Sequence, residues 1–266
     1  MTITSIWKKA MHRSMSKRTL RIVINNTTHL VLMDLWINSV MSLWNYLYQK
    51  NQKSSIIFIM KDYEALSKKH FNNQAYEYDN NNSYYYSKEG KISSYHIEEY
   101  LKNKTFNSLL DVGCGTGFLI DLLSKEHNNA KFYGLDLSDK MIEAANNKRI
   151  KNSTFIIGKS NKLPYDDESF DIVVCSQSFH HYPYQDEAVK EAYRVLKKDG
   201  LYILSDSGVG GLGAWIDNNI IFKLLPSGDC KVTSRKGIEK ILERHKFQII
   251  ESTKLTWMVY CVVGKE

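Results

Sequence analysis

The chain of 266 residues, 43% hydrophobic and 24% charged, has a globular composition and is long enough for one large domain, which excludes a wholly disordered or collagen-like chain. A mean hydropathy of −0.39 opposes a polytopic membrane protein. The formal net charge of +7 resides in residues 1–59, with eight basic groups and one acid (Asp34), whereas residues 60–266 carry 28 of each sign and so offer no general attraction to nucleic acid. The cysteines Cys114, Cys175, Cys230 and Cys261 are scattered, with no CxxC pair, so neither a disulfide scaffold nor a zinc knuckle is expected. Reduced thiols in a cytoplasmic compartment are the simplest reading.

Composition changes near residue 60. No glycine precedes Gly90, and the three prolines all lie later. Residues 1–59 read as a basic extension and 60–266 as the main domain. In the extension, Leu30 to Tyr48 is mostly apolar, with Asp34, Asn38, Ser42 and Asn45 at helical spacing. Such an amphipathic helix either packs on the main domain or lies weakly on a membrane surface behind the basic arm. A membrane span would place Asp34 near mid-bilayer at a cost of roughly 2.5–3.5 kcal/mol, and the long arm without a clean cleavage site opposes a secretory signal. Met60-Lys61-Asp62-Tyr63-Glu64 reads like a protein start, so the extension is expected to be dispensable for chemistry.

Residues 60–104 read as a helical, tyrosine-rich cover, and the core begins at 105. Ser108–Val112 is a buried strand, Phe118–Lys125 a helix, Lys131–Leu135 a strand, and Ser138–Lys148 a helix with Ser138 as N-cap. Thr154–Ile157 and Asp171–Cys175 are strands, Gln185–Leu196 a helix, Leu201–Ser205 a strand, and Ser234–His245 a helix. Phe247–Glu251 and Trp257–Val263 close the chain as two β-rich segments. The alternation predicts an α/β, Rossmann-like, doubly wound, mostly parallel seven-stranded sheet with a C-terminal antiparallel hairpin at one edge.

The informative stretch is Leu109-Leu110-Asp111-Val112-Gly113-Cys114-Gly115-Thr116-Gly117-Phe118, a buried strand that enters a glycine-rich loop and then a helix. Such a loop lets backbone approach a ligand and aims helix N–H groups at it. Asp111 adds a carboxylate that repels a pyrophosphate but suits an ammonium or a hydroxyl. Asp136, nineteen positions after Gly117 and at the end of the second strand, is placed to accept from ribose hydroxyls. A dinucleotide fingerprint, G-x-G-x-x-G/A, fails here because Phe118 or Ile120 stands at its last glycine.

The stretch 111–117 resembles the first motif of class I S-adenosylmethionine-dependent methyltransferases. The likeness extends through Gly134-Leu135-Asp136-Leu137-Ser138, Leu163-Pro164-Tyr165 with Ser169-Phe170-Asp171, and Arg194-Val195-Leu196-Lys197-Lys198-Asp199-Gly200. It covers about residues 105–206 and is nearest to the type 11, ubiquinone/menaquinone-biosynthesis-like subgroup. The resemblance implies S-adenosyl-L-methionine as cofactor and a small-molecule methyl acceptor. It also implies that Gly113, Gly115 and Gly117, with Cys114 and Thr116 between them, wrap the methionine end and that Asp111 anchors its amino group. Asp136 would take the ribose, Leu137 and Met141 would flank the adenine, Ser160 and Asn161 would approach its edge, and Cys175, Ser176 and Gln177 would line the methionine end. Lys159 departs from the family's usual acid after Gly158. Lys198-Asp199-Gly200 replaces the usual turn before strand five. The resemblance further implies that the Tyr-rich cover (Tyr63, Tyr76, Tyr78, Tyr84, Tyr85, Tyr86) closes over the cofactor; the alternative is that these rings pack on the sheet.

Methyl transfer from a sulfonium is an in-line displacement that needs alignment and exclusion of water. His180 and His181, directly after the fourth strand, are the candidates for a general base or for acceptor positioning, and packing or capping is the alternative for each. Adjacent histidines also suggest a metal, but no nearby ligand has zinc spacing, so none is expected. The glycines between 208 and 213 read as a mobile loop or as a linker to a helix near Trp215. A nicotinamide-dependent oxidoreductase and a non-catalytic cofactor-binding domain are the competing functions.

Overall fold

The computed structural model describes residues 61–80 and 84–266, with side chains described outside 80–90. The extension, its Leu30–Tyr48 helix, Met60 and the side chains of Tyr84, Tyr85 and Tyr86 lie outside the described residues.

Two helices precede the sheet, α1 (Tyr63–Gln74) and α2 (Tyr84–Leu101). Then come β1 (Ser108–Val112), α3 (Phe118–Glu126), β2 (Lys131–Asp136), α4 (Asp139–Asn147), β3 (Ser153–Ile157) and β4 (Phe170–Ser176). They are followed by α5 (Gln185–Val195), β5 (Leu196–Ser207), α6 (Gly211–Ile216), α7 (Arg235–Arg244), β6 (Gln248–Lys254) and β7 (Val259–Lys265). A π-helical turn, Asp217–Ile221, and the short helix Phe222–Leu224 continue α6.

The strands form one sheet in the order β3-β2-β1-β4-β5-β7-β6. The first five are parallel, whereas β7 runs antiparallel between β5 and β6. The doubly wound sheet with its antiparallel end therefore stands as expected, with β6 at the edge. Strand order reverses between β1 and β4, and a crevice opens beyond the carboxyl ends of strands at such a point.

Alternation along the strands fills two cores. On one face Leu110, Val112, Val173 and Leu204 pack with Val189, Ala192 and Val195 of α5 and Ile238, Ile241 and Leu242 of α7. On the other face Leu109, Phe132, Ile172 and Ile203 pack with Ile97 and Leu101 of α2, Leu119, Ile120 and Leu123 of α3, and Ile142 and Ala145 of α4. Each fully buried aliphatic side chain contributes about 1.5–3 kcal/mol to folding.

Two local details follow from chemistry. Ser138 caps α4, accepting from Met141 N–H at 3.0 Å. The Arg194 guanidinium donates to the carbonyls of Leu163 (3.0 Å) and Tyr165 (2.8 Å) and to Glu191 (2.9 and 2.8 Å), tying together two of the motifs noted above.

The two C-terminal strands run Gln248–Lys254 and Val259–Lys265, up to three residues later than expected, and the largest shift is in β5. β5 begins at Leu196 rather than at Leu201, and the turn sequence Lys198-Asp199-Gly200 becomes a bulge. Partners jump from Phe170–Leu196 to Ile172–Leu201, with Asp199 at φ 64°. After β5, Gly208 and Gly210 precede the helix α6, whereas Gly211 and Gly213 lie within its first turn.

Candidate active site

The glycine loop leaves β1 at the reversal of strand order. Gly113, Gly115 and Gly117 all take positive φ, at 78°, 52° and 75°. A Cβ on Gly113 would lie 2.4 Å from Ser178 Oγ, so any side chain there collides with the β4 loop. A Cβ on Gly115 would meet nothing within 4 Å, because this residue faces open space in the cleft. The loop is held against β2: Gly113 N–H and Cys114 N–H donate to the Leu135 carbonyl at 2.7 and 3.1 Å, and Gly115 N–H donates to Asp136 Oδ2 at 2.9 Å. Asp136 Oδ1 accepts from Ser138 N–H at 2.8 Å. Burial raises the pKa of Asp136, and these backbone N–H groups oppose that rise.

Asp111 differs. It is 2% exposed and its Oδ1 is buried with no hydrogen-bond partner. Burial first, and the charge of Asp136 second, push its pKa up to about 8. A buried acceptor without a donor costs on the order of 1–3 kcal/mol, and a cationic donor entering the cleft removes that cost.

The cleft encloses about 1220 Å³, counted out to solvent. Of the residues expected at the site, Asp111, Gly113, Cys114, Gly115, Thr116, Asp136, Leu137, Met141, Ser160, Ser176, Gln177 and His181 line it. Four do not. Gly117 is the left-handed N-cap of α3, turned toward Phe155 and Ala145. Cys175 is fully buried under the loop, its thiol facing the Ser178 hydroxyl at 3.2 Å. Asn161 lies in the turn beyond Ser160, outside the lining. His180 is turned behind His181 and places Nδ1 2.7 Å from Asp206 Oδ1. Successive residues of the Phe179–His181 helical turn point about 120° apart, which separates His181 from His180.

The cover closes the cleft by polar contacts at three points. Asn72 of α1 accepts from Ser138 Oγ at 2.6 Å and donates to Asp139 at 3.0 Å. Asp79 accepts from Thr116 Oγ1 and pairs with Lys148, both at 2.6 Å. Glu64 forms an ion pair with Lys159. Glu64, Asp79, Lys159, Phe71 and Tyr78 all line the cleft. The sequence offered no signal for Glu64 or Asp79, because their partners lie 95 and 37 positions away. Gln177, at φ 52°, is fixed by Ser93 (2.8 Å) and Ser207 (2.7 Å).

Beyond Gln177, the short helical turn Phe179–His181 brings His181 to the cleft wall. Burial, followed by the neighbouring His180, holds the His181 pKa well below the ordinary imidazole value. His181 Nδ1 lies 3.3 Å from Asp229 Oδ1 without the alignment of a hydrogen bond. Asp229 was not singled out in the sequence, since 48 residues separate it from His181 and only the fold joins them.

Comparison with known proteins identifies the family and the fold. A family model described as a methyltransferase domain matches residues 110–204. The demethylmenaquinone methyltransferase of Thermotoga maritima is 35% identical over 96 residues, 36% of this chain and 42% of that protein. The demethylmenaquinone methyltransferase of Lactobacillus johnsonii is 33% identical over 182 residues, 58% of this chain and 73% of that protein. The chain thus spans less than half of the first relative and nearly three quarters of the second. The crystal structure of an S-adenosylmethionine-dependent methyltransferase from Aquifex aeolicus shares the fold with a TM-score of 0.52 at 20% identity, covering 77% of this chain and 98% of that one. Matched over most of a named methyltransferase, and carrying the glycine loop and strand-end acid in register, the chain belongs to the class I S-adenosylmethionine-dependent methyltransferases.

Proposed function

We propose that the chain transfers the methyl group of S-adenosylmethionine to a small-molecule acceptor by in-line displacement. The observation that carries this reading is the buried, unpartnered Oδ1 of Asp111 beside an open Gly115. A carboxylate that is short of a donor fits an ammonium group, and a backbone without side chains fits a ligand lying against it. When bound, S-adenosylmethionine supplies an activated methyl group on a sulfonium.

The roles of the chain's own residues follow. Asp111 accepts from the amino group of the methionine end, and the Gly113–Gly117 backbone packs along that end. Each Asp136 oxygen accepts one backbone N–H, so each keeps capacity for a ribose hydroxyl. Leu137, Met141 and Ser160 flank the base, and Glu64, held by Lys159, offers a carboxylate from the cover where Lys159 replaces an acid. Ser176 and Gln177 border the methyl-bearing end. His181, on the acceptor side, is held too weakly basic by its surroundings to serve as a strong base, which favours positioning of the acceptor.

The relatives named demethylmenaquinone methyltransferases make demethylmenaquinone the first acceptor to test. We also read residues 60–266 as the catalytic unit and 1–59 as a separate extension with weak affinity for membrane surfaces. The place of action is taken as the cytoplasm, a reading supported by the free thiols of all four cysteines. Among the described residues no helix is long and apolar enough to cross a membrane.

The test is incubation with methyl-labelled S-adenosylmethionine and demethylmenaquinone, alongside calorimetry with S-adenosylhomocysteine. Label in the lipid extract and micromolar binding support the reading. Binding of a nicotinamide dinucleotide in place of S-adenosylhomocysteine overturns it, and cofactor binding with no labelled product from any cell extract points to a non-catalytic domain.

A further inference from the structure

Three donor atoms from two distant parts of the chain meet at the wall of the cleft. His181 Nδ1 and His180 Nε2 lie 3.3 and 3.6 Å from the same atom, Asp229 Oδ1, and all three ligand atoms fall within 4.8 Å of one another. The edge of a tetrahedron around a zinc ion with ligands at about 2.0–2.1 Å is about 3.3 Å. Two of the three edges are therefore formed or nearly so, and the third lies within 4.8 Å. We infer that His180, His181 and Asp229 form a binding site for a divalent transition-metal ion of the two-histidine, one-carboxylate type.

The surroundings of the three residues suit this assignment. Asp206, 1% exposed, accepts from His180 Nδ1 at 2.7 Å, which fixes the tautomer that presents Nε2 as a ligand. A carboxylate behind a ligating imidazole is the usual outer partner of metal-bound histidine. Ser227 donates its hydroxyl to Asp229 Oδ2 and so leaves Oδ1 turned to the two rings. The backbone around Asp229 is held in place as well. Cys230 N–H and Lys231 N–H both donate to the His180 carbonyl, at 3.1 and 3.2 Å. Gln185 Nε2 bridges the carbonyls of Phe179 (3.0 Å) and Lys231 (2.9 Å). Gly228, at φ 84°, lies so close to α1 that a Cβ there would stand 2.4 Å from Ser67 N. The two halves of the ligand set are thus clamped together by backbone bonds that are independent of any ion.

The donor set selects the ion. Two imidazole nitrogens with one carboxylate favour zinc and its neighbours, whereas magnesium and calcium prefer all-oxygen shells. Three protein ligands leave the fourth tetrahedral position for water or an acceptor oxygen, and His181 already lines the cleft. The site stands or falls by its own binding, apart from the methyl transfer proposed above.

The competing arrangement is the same three side chains packed together with no metal. The test uses the full-length protein, stripped with a chelator and titrated with Zn²⁺ against a chromophoric competitor. One zinc per chain is expected, unaffected by excess Mg²⁺. The variant Asp229→Asn, with S-adenosylhomocysteine binding as its folding control, is expected to lose at least about a hundredfold in zinc affinity. Asp206→Asn, which keeps all three ligands, is expected to lose about ten- to a hundredfold. Equal zinc binding by wild type and Asp229→Asn overturns the inference, as does wild type binding no zinc. If Asp229→Asn does not fold, the melting temperature of the wild type decides. A rise with Zn²⁺ but not with Mg²⁺ that is reduced in Asp206→Asn supports the site, and no rise with Zn²⁺ overturns it.

Discussion

The two ends of the cleft are built differently. At the end formed by β1 and β2, the groups that these strands and their loops bring to the cleft lie in two stretches, 111–119 and 135–141, which neighbouring parallel strands carry side by side. At the end formed by β4, the Phe179–His181 turn brings His181 to the wall and is joined from behind by a loop some fifty residues later, which donates to the His180 carbonyl. The first end is specified by local spacing and strand register. The second depends on the path of a long connection, α6 and its continuation, which places Asp229. In the proposed reading, the nucleoside end rests on local sequence, while the acceptor end depends on a segment distant in the chain.

The sharpest test of the first end is Asp136→Ala. The substitution removes the acceptor for Gly115 N–H and Ser138 N–H, so the loop loses its anchor and, in the proposed binding mode, the ribose loses its partner. Affinity for S-adenosylhomocysteine is expected to fall by about a hundredfold, or roughly 3 kcal/mol, in calorimetry. Unchanged affinity would place ligand binding elsewhere.

Gly113→Ala tests the contact between the two ends. Its Cβ would meet Ser178 Oγ at 2.4 Å, at a φ of 78°. A loss of roughly 2–3 kcal/mol in urea unfolding is expected, and an unchanged midpoint would mean that the β4 loop yields freely.

Arg194→Met removes bonds that fix the segment between β3 and β4 against α5. The expected loss is roughly 2 kcal/mol. Hydrogen bonding to Arg194 lowers the pKa of Glu191 in the folded chain, although burial opposes it. That contribution to stability is present above the unfolded pKa of Glu191 and is lost as pH falls through the lower, folded one. Wild type should therefore lose more stability than Arg194→Met on acidification across this window, measured as the shift in urea midpoint between neutral and acidic buffer.

The smallest effect is expected from deleting residues 1–59. If the extension is separate, S-adenosylhomocysteine affinity changes by less than about twofold, within ordinary calorimetric scatter. A truncated chain that fails to bind would make the extension part of the domain.

The contrast between the two ends also explains what the sequence revealed. The strand–loop–helix around Gly113 and the acid at Asp136 were legible because each signal fits within one βα unit and obeys a period. The cap at Ser138 was legible for the same reason. The assignment of His180 to the cleft was not: adjacent residues on a short helical turn point in different directions, and nothing in Phe179-His180-His181-Tyr182 says which ring faces outward. Asp229 was hidden because no spacing rule connects it to the histidines. Glu64 was hidden because the departure at Lys159 is answered by a charge 95 positions earlier.

The position of β7 has a further consequence. This strand, Val259–Lys265, is almost wholly buried between β5 and β6, and β6 pairs with no other strand. During synthesis, β5 and β6 therefore emerge from the ribosome before the strand that joins them. Until residue 265 is released, β5 presents a bare apolar edge open to pairing with other chains. A nascent chain stalled before that point is expected to depend on chaperones, and the parallel half of the sheet must wait for the antiparallel end to become a finished protein.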